Sequence, residues 1–153
     1  MTLPEDIYSQ RILELAAAIP RTQRLAAPEA TARAHSKLCG STVTVNLVMD
    51  GEVVTDYGQS VKACLLGQSA ASVMGREVVG SSAVELRAVG SAMRKMLQEG
   101  GPPPQDRWRD LAVLEPVRDY KARHASTLLV FDAVEDAIRQ IEAKRAKGEL
   151  AHV

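Results

Sequence analysis

Three short segments contain the residues that could bind a metal ion or react as free thiols. The chain has two cysteines, Cys39 and Cys64, and His124 is the third candidate ligand. Thiolates and imidazoles are ligands that zinc prefers. The two cysteines lack a CxxC spacing, and free cysteine often packs as a small hydrophobic residue. A metal site and simple packing of the thiols are therefore both open at this point.

A predicted β-hairpin would bring the two cysteines together. Residues 42–49 alternate between apolar and polar types, Asp50-Gly51 is a turn signal, and residues 52–61 form the returning strand. Antiparallel pairing places the start of the first strand beside the end of the second, and neighbouring strands lie about 4.8 Å apart. Two thiolates at that end could share one ion. Cys64 also precedes a predicted helix, whose N-terminus would stabilise a thiolate.

The remaining pattern is mainly helical. Helices are predicted at residues 6–19, 67–75, 82–98, 108–114 and 126–147. Ser82 is the expected N-cap of the third, with Glu85 completing a capping box, and Pro116 is expected to end the fourth. Residues 26–37 read as a mobile loop, and the charged end of the last helix as a solvated face. The order predicts an α+β domain: a small antiparallel β-sheet with helices packed on one face.

Composition excludes several classes of function. The 153 residues suffice for one domain, the formal net charge is zero and only 3% of residues are aromatic. These values argue against nucleic-acid binding and against a polybasic membrane surface. Neither a membrane span nor a secretory signal is expected from the pattern. A cytoplasmic protein without a structural disulfide is predicted, because thiols stay reduced there.

The order of the motifs resembles the IscU/SufU/NifU family of iron–sulfur cluster assembly scaffolds. Segment 38–41 is similar to that family's Cys-Gly-Asp motif, and Cys64 with its Ser/Ala-rich helix is similar to the second cysteine motif. Pro20-Arg21 looks like the turn that ends the family's first helix, and segment 124–128 looks like the third cysteine motif. Residues 99–115 resemble an insertion of the SufU branch, within a single domain 1–153 that ends in a charged tail at 143–153.

The resemblance also identifies two altered ligand positions. Ser41 stands where the family has an aspartate, and Ala125 stands where it has a third cysteine. Shifting the alignment by one residue would place His124 at the ligand position instead. The resemblance then implies sulfur acceptance by Cys39 and Cys64, and binding of iron, a transient iron–sulfur cluster or zinc by Cys39, Cys64 and His124.

Three hypotheses follow. The first is a scaffold or sulfur carrier, rather than an enzyme, that works with a cysteine desulfurase and iron–sulfur acceptor proteins. The second is a zinc-binding member without assembly activity. The third is a metal-free protein-interaction module whose cysteines are merely packed. The resemblance further implies a monomer or a weak homo-oligomer.

Overall fold

The structure, a computed structural model, describes residues 9–38 and 40–150. Three strands form one antiparallel sheet in the order β1-β2-β3. They are β1 (Ala30–His35), β2 (Thr42–Asp50) and β3 (Val53–Lys62). The helices are α1 (Gln10–Ala17), α2 (Leu65–Glu77), α3 (Ala83–Glu99) and α4 (His124–Ala146), and 3-10 helices span Asp106–Asp119 and Lys121–Arg123.

One face of the sheet is buried beneath the helices. Val43, Val45 and Leu47 of β2 are fully buried, and α4 packs across β1 and β2 while α2 packs against β3. The opposite face carries polar side chains, because successive strand residues point to opposite sides. The predicted α+β class, with helices on one face of a small antiparallel sheet, is confirmed.

The hairpin prediction is also confirmed. Thr42 pairs with Lys62 and Leu47 pairs with Tyr57, and the register shifts once, between Val48 and Met49. The turn residue Gly51 has a φ of 62°, which glycine adopts without steric cost. Helices α2, α3 and α4 lie where they are predicted, within about three residues at each end. Helix α1 begins at Gln10, with Ser9 as its extended N-cap, and ends at Ala17, so the predicted helix 6–19 is too long at both ends; residues 6–8 lie outside the described residues.

The segment predicted to be a mobile loop is wrong over half its length. Residues 30–35 form β1, with Ala30 and Ala32 buried and Thr31 and Arg33 exposed. The alternation is present in the sequence, but it rests on alanines rather than on large apolar residues. Alanine suits this strand because α4 lies close against it.

Two further predictions need correction, one about the connection after α3 and one about the start of α3. Pro116 does not end the helical segment; it lies inside the 3-10 helix Asp106–Asp119. The φ of proline, near −65°, is compatible with 3-10 geometry. Ser82 caps α3 as expected, accepting a hydrogen bond from Glu85 N at 3.1 Å. The Glu85 carboxylate, however, accepts hydrogen bonds from Trp108 and Arg107.

The charged end of α4 is only partly a solvated face. Arg145 donates to Gly51 O at 2.6 Å and to Met49 O at 3.0 Å, and Lys144 donates to Glu29 O at 2.5 Å. These cations satisfy backbone carbonyls at the end of the sheet remote from Cys64. The long apolar stems let both side chains cover the sheet end while their charged groups reach these acceptors.

Candidate sulfur and metal site

Cys64 lies at the junction between β3 and α2. It is the N-cap residue of α2, with extended backbone angles (φ −66°, ψ 169°), and it is a partly exposed free thiol. Its side chain makes no capping hydrogen bond to the helix. Its Sγ lies 3.4 Å from the Ser126 Oγ, which in turn donates to Arg123 O. A partly exposed thiol at a helix N-terminus can both react and be reached by a partner.

Two helix N-termini converge at this thiol. Cys64 caps α2, and Ser126 lies in the first turn of α4, so their contact joins the two ends. The close approach depends on Gly67, because a Cβ there would lie 2.9 Å from Ser126 O and 2.9 Å from Ala63 Cβ. Each helix N-terminus carries partial positive charge and favours an anion. Partial positive charge from both helices therefore lies beside the Cys64 sulfur.

The loop that contains Cys39 lies at this same end of the sheet. Ser36 N donates to Ser41 O, and Gly40 N donates to Ser36 O, each at 2.9 Å, which closes a tight connection between β1 and β2. Thr42 pairs with Lys62, so this connection and the β3–α2 junction adjoin the same row of the sheet. Cys39 itself lies outside the described residues. Its predicted meeting with Cys64 stays a prediction.

His124 is the first residue of α4 and is held by backbone contacts. Its Nε2 lies 3.0 Å from Val117 O and 3.1 Å from Arg118 O. Carbonyl oxygens only accept hydrogen bonds, so Nε2 is the donor and Nδ1 is the nitrogen with a free lone pair in the neutral ring. A second nitrogen fixed in this way is typical of metal-binding histidines, because it orients the ring. His124 and Ser126, the neighbour of Cys64, share the first turn of α4, although residues two apart on a helix face different sides.

The two altered positions lack any strong metal ligand. Ser41 is buried and offers no carboxylate, and its carbonyl closes the Ser36–Ser41 connection. Ala125 is exposed in the first turn of α4, between His124 and Ser126. Among residues 9–38 and 40–150, no three His, Cys, Asp or Glu side chains form a metal-binding group. Within that part of the chain, the candidate donors at this end are Cys64 and His124.

Basic residues lie near the ends of the elements that meet here. Lys37 follows β1, Lys62 ends β3, and Lys121 and Arg123 precede α4, although Asp119 also lies in this last segment. The sequence between Ala30 and Met49 contains no aspartate or glutamate. Basic residues therefore outnumber acidic ones in these segments, although the chain as a whole has zero formal net charge. An excess of positive charge attracts anionic groups.

Sequence reasoning did not assign a role at this site to Ser126 or to Gly67. Ser126 stands near the start of a predicted helix, and Gly67 stands in a helix rich in small residues, so each has an ordinary local explanation. The sequence does not show the close contact between α2 and α4, and this contact is what places both residues at the site. His35 is exposed at the end of β1, and its Nδ1 lies 3.0 Å from Thr42 Oγ1.

In the described part of the chain, no helix combines the length and the apolar character needed to cross a bilayer.

The comparisons with known proteins agree with this architecture. The chain is 61% identical to the crystal structure of a nitrogen-fixing NifU-like protein (N-terminal) from Brucella abortus, with a TM-score of 0.90 over 92% of this chain and 97% of that chain. A SUF-system iron–sulfur cluster assembly scaffold structure from Fervidobacterium islandicum has a TM-score of 0.80 at 19% identity, covering 89% of this chain and 99% of its own.

A curated sequence relative points to the same group of proteins. The iron–sulfur cluster assembly scaffold protein IscU of Thermotoga maritima is 22% identical over 135 residues, which is 88% of this chain and 94% of that protein. No family model matches the sequence. The identity and coverage of the Brucella structure decide the assignment: the chain belongs to the IscU/SufU/NifU N-terminal family of iron–sulfur cluster assembly scaffolds.

Proposed function

We propose that this protein receives sulfur from a cysteine desulfurase on Cys64 and Cys39, assembles a transient iron–sulfur cluster and passes it to acceptor proteins. The observation that carries the proposal is the placement of Cys64, a partly exposed thiol where two helix N-termini meet, in a chain of this family. The relatives' names supply the class of function, and the geometry at Cys64 supplies a chemically suitable acceptor.

The sulfur-accepting step needs a thiolate nucleophile. The Cys64 sulfur attacks the terminal sulfur of the donor's persulfide; one S–S bond forms on Cys64, the donor's S–S bond breaks, and the donor cysteine leaves as a thiolate. This exchange consumes no electrons. The persulfide anion formed on Cys64 faces the N-termini of α2 and α4, which stabilise its charge. Conversion of each transferred sulfur to sulfide takes two electrons from a separate thiol reductant.

The cluster is the cargo of this reaction, and the proposed ligand set suits a loosely bound cargo. Cys39, Cys64 and the Nδ1 of His124 give three protein ligands, whereas such clusters are commonly bound by four cysteines. Ser41 and Ala125 leave the remaining position to solvent or a small thiol. Incomplete ligation by the protein lowers the stability of the bound cluster and favours its transfer to an acceptor with a full set.

Anaerobic reconstitution with Fe(II) and sulfide tests the proposal directly. We expect the wild type to bind iron and labile sulfide in equal amounts, and expect Cys64→Ser, Cys39→Ser and His124→Ala to lose at least about tenfold in cluster content. Arg139→Ala is the control, because Arg139 is exposed on α4 far from the N-terminus of that helix. Zinc without sulfide would identify the zinc-binding alternative, and neither metal nor sulfide the metal-free interaction module.

A variant with an added thiol tests the altered ligand set by supplying a ligand instead of removing one. Ala125→Cys adds a thiol on the exposed first turn of α4 beside His124. We expect this fourth ligand to lengthen the lifetime of the reconstituted cluster against chelators by about tenfold or more. Ala122→Cys is the control, because it also adds an exposed thiol but lies in the preceding 3-10 helix. Equal lifetimes in both variants would place the cluster elsewhere.

A further inference from the structure

One edge of the sheet has backbone groups that no described residue pairs. Ser36 N bonds to Ser41 O, which fixes the alternation of hydrogen-bonded pairs along β1 and β2. In this alternation Ala32 and Ala34 bond to β2, whereas Thr31, Arg33 and His35 point their N–H and C=O groups away from it. Within residues 9–38 and 40–150, no hydrogen bond is made by these outward backbone groups.

The opposite edge of the sheet is covered. Gln59 N of β3 donates to Arg21 O at 2.9 Å, and a Cβ on Gly58 would lie only 2.3 Å from Gln23 O. The segment after α1 therefore lies against β3. Proteins commonly protect sheet edges in this way, because an open edge is a template for another strand. Of the two edges, as far as the described residues define them, β1 is the open one.

The face beside the open edge is cationic. Arg33 on β1, Lys62 on β3 and Arg24 in the segment after α1 are all exposed, and none makes an ion pair with another described residue. Arg24 lines a pocket of about 520 Å³ with Thr31, Thr44, Asn46, Gln59 and Ser60 on the polar face of the sheet. Hydroxyl and amide groups around an arginine suit carboxylate side chains.

We propose that the open edge of β1 binds an extended, acidic segment of the sulfur-donating partner as an added strand, with Arg33, Arg24 and Lys62 binding its carboxylates. Main-chain hydrogen bonds give affinity in this mode of recognition, and side chains at alternate positions give specificity. The proposal deepens the proposed function, on which its choice of partner rests.

The position of the edge explains why the sulfur donor is the occupant. β1 runs directly into the Ser36–Ser41 connection, the segment of sequence that includes Cys39. The last row of the sheet, His35, Thr42 and Lys62, is followed two residues later by Cys64. A strand added to β1 would therefore run towards the sulfur-accepting end. A second copy of this chain is a poorer occupant, because symmetric pairing centred on Arg33 would bring the Arg33 side chains of both copies together.

Charge reversal tests the electrostatic part. We expect Arg24→Glu with Arg33→Glu to weaken binding of the purified cognate cysteine desulfurase by at least about tenfold, and to slow sulfur transfer from it. Arg139→Glu is the matched control, because Arg139 is exposed on α4 away from the sheet and should leave affinity unchanged. Equal affinity of the double variant and the control would overturn the proposal.

Reconstitution with inorganic sulfide separates this proposal from the proposed function. It bypasses the desulfurase, so the double variant is expected to bind as much cluster as the wild type. Loss of cluster in both assays would overturn the proposal, because the arginines would then serve the site itself. Failure of wild-type reconstitution would instead contradict the proposed function while leaving the binding comparison readable.

Hydrogen exchange tests the backbone part. In the free protein the amides of Thr31, Arg33 and His35 should exchange rapidly and those of Ala32 and Ala34 slowly, by their different hydrogen bonding. Adding the desulfurase should slow the first three by at least about tenfold. Unchanged exchange at these amides would overturn strand addition, and so would slowing that depends on the concentration of this chain alone, which would identify a second copy as the occupant.

Discussion

The two ends of α4 differ in the kind of contacts that hold them. At its C-terminal end, Arg145 and Lys144 donate to three backbone carbonyls at the end of the sheet remote from Cys64. At its N-terminal end, the helix is buried against α2, and a thiol–hydroxyl approach and the backbone contacts of His124 reach the candidate site. The first end is held by cation–carbonyl hydrogen bonds. The second packs tightly but leaves the Cys64 thiol partly exposed, as the proposed sulfur exchange requires.

A hydrogen-bond cluster at the start of α3, formed by Glu85, Arg107 and Trp108, also lies away from Cys64. Arg107 and Trp108 donate to the carboxylate of Glu85, and Arg107 also donates to Ser81 Oγ. Trp108 is buried and donates to Glu85, so it anchors the 99–115 connection against α3. Whether that connection is a SufU-type insertion stays a prediction. Anchoring contacts and reactive groups thus occupy separate parts of the molecule.

Removing the anchor at the C-terminal end of α4 should have the largest effect on stability. Arg145→Met deletes the donors to Gly51 O and Met49 O, and we expect a loss of about 3 kcal/mol in the free energy of unfolding. The loss is limited because Arg145 Nε is already buried without a partner among the described residues. Urea unfolding measures it, with Arg139→Met as control. Cluster content per folded molecule should not change.

Adding one methyl group where the two helix N-termini meet should separate them. Gly67→Ala places a Cβ 2.9 Å from Ser126 O, and we expect a loss of about 2 kcal/mol together with reduced cluster content. Ser91→Ala, at an exposed position of α3, is the control for helix propensity. If Gly67→Ala lost stability but bound clusters normally, the close approach of the helices would be irrelevant to the site.

Acid should weaken the hydrogen-bond cluster at Glu85. The hydrogen bond from Arg107, opposed by partial burial and aided by Trp108, lowers the pKa of Glu85 from its ordinary value. A carboxylate with a lowered pKa in the folded state stabilises the protein above the unfolded pKa of about 4.3, and this contribution is lost as the pH falls through the lowered value.

The variant Glu85→Gln isolates that contribution. At pH 7 we expect it to unfold about 1 kcal/mol more easily than the wild type, because the charged acceptor is gone. The difference should disappear in acid, when the wild-type carboxyl is itself neutral. Unfolding curves measured from about pH 3 to about pH 7 make the comparison. A difference that persisted unchanged in acid would contradict the assigned role.

The smallest effect is expected at the reactive end. Ser126→Ala removes a hydrogen bond to Arg123 O, but Thr127 Oγ1 also donates to that carbonyl, at 2.7 Å. We expect a loss of about 0.5 kcal/mol. Persulfide formation on Cys64, followed by mass spectrometry, should change less than threefold, because the helix N-termini remain. A large loss of stability would show that the Ser126 hydroxyl is an important anchor of this end of α4.

Local pattern predicted the elements that large apolar residues or turn signals define. The β2–β3 hairpin, α2, α3 with its Ser82 cap, and α4 all follow from periodicity and capping. Local pattern does not predict β1, because alanine carries a weak apolar signal and strand pairing is decided by a distant partner, here Leu47 and Val45. Local pattern also predicts a helix end at Pro116, but a 3-10 helix accommodates proline where an α-helix interior does not.

By itself, the sequence determined the candidate chemistry: two thiols, an imidazole, and a serine and an alanine where the family has stronger ligands. Tertiary structure decided the rest, because those decisions depend on contacts between residues far apart in the chain. It brought the N-terminus of α4 to Cys64, fixed the His124 ring on the carbonyls of Val117 and Arg118, and left the edge of β1 without a partner among residues 9–38 and 40–150. Local propensity carries no information about such distant neighbours, so only the folded chain could supply it.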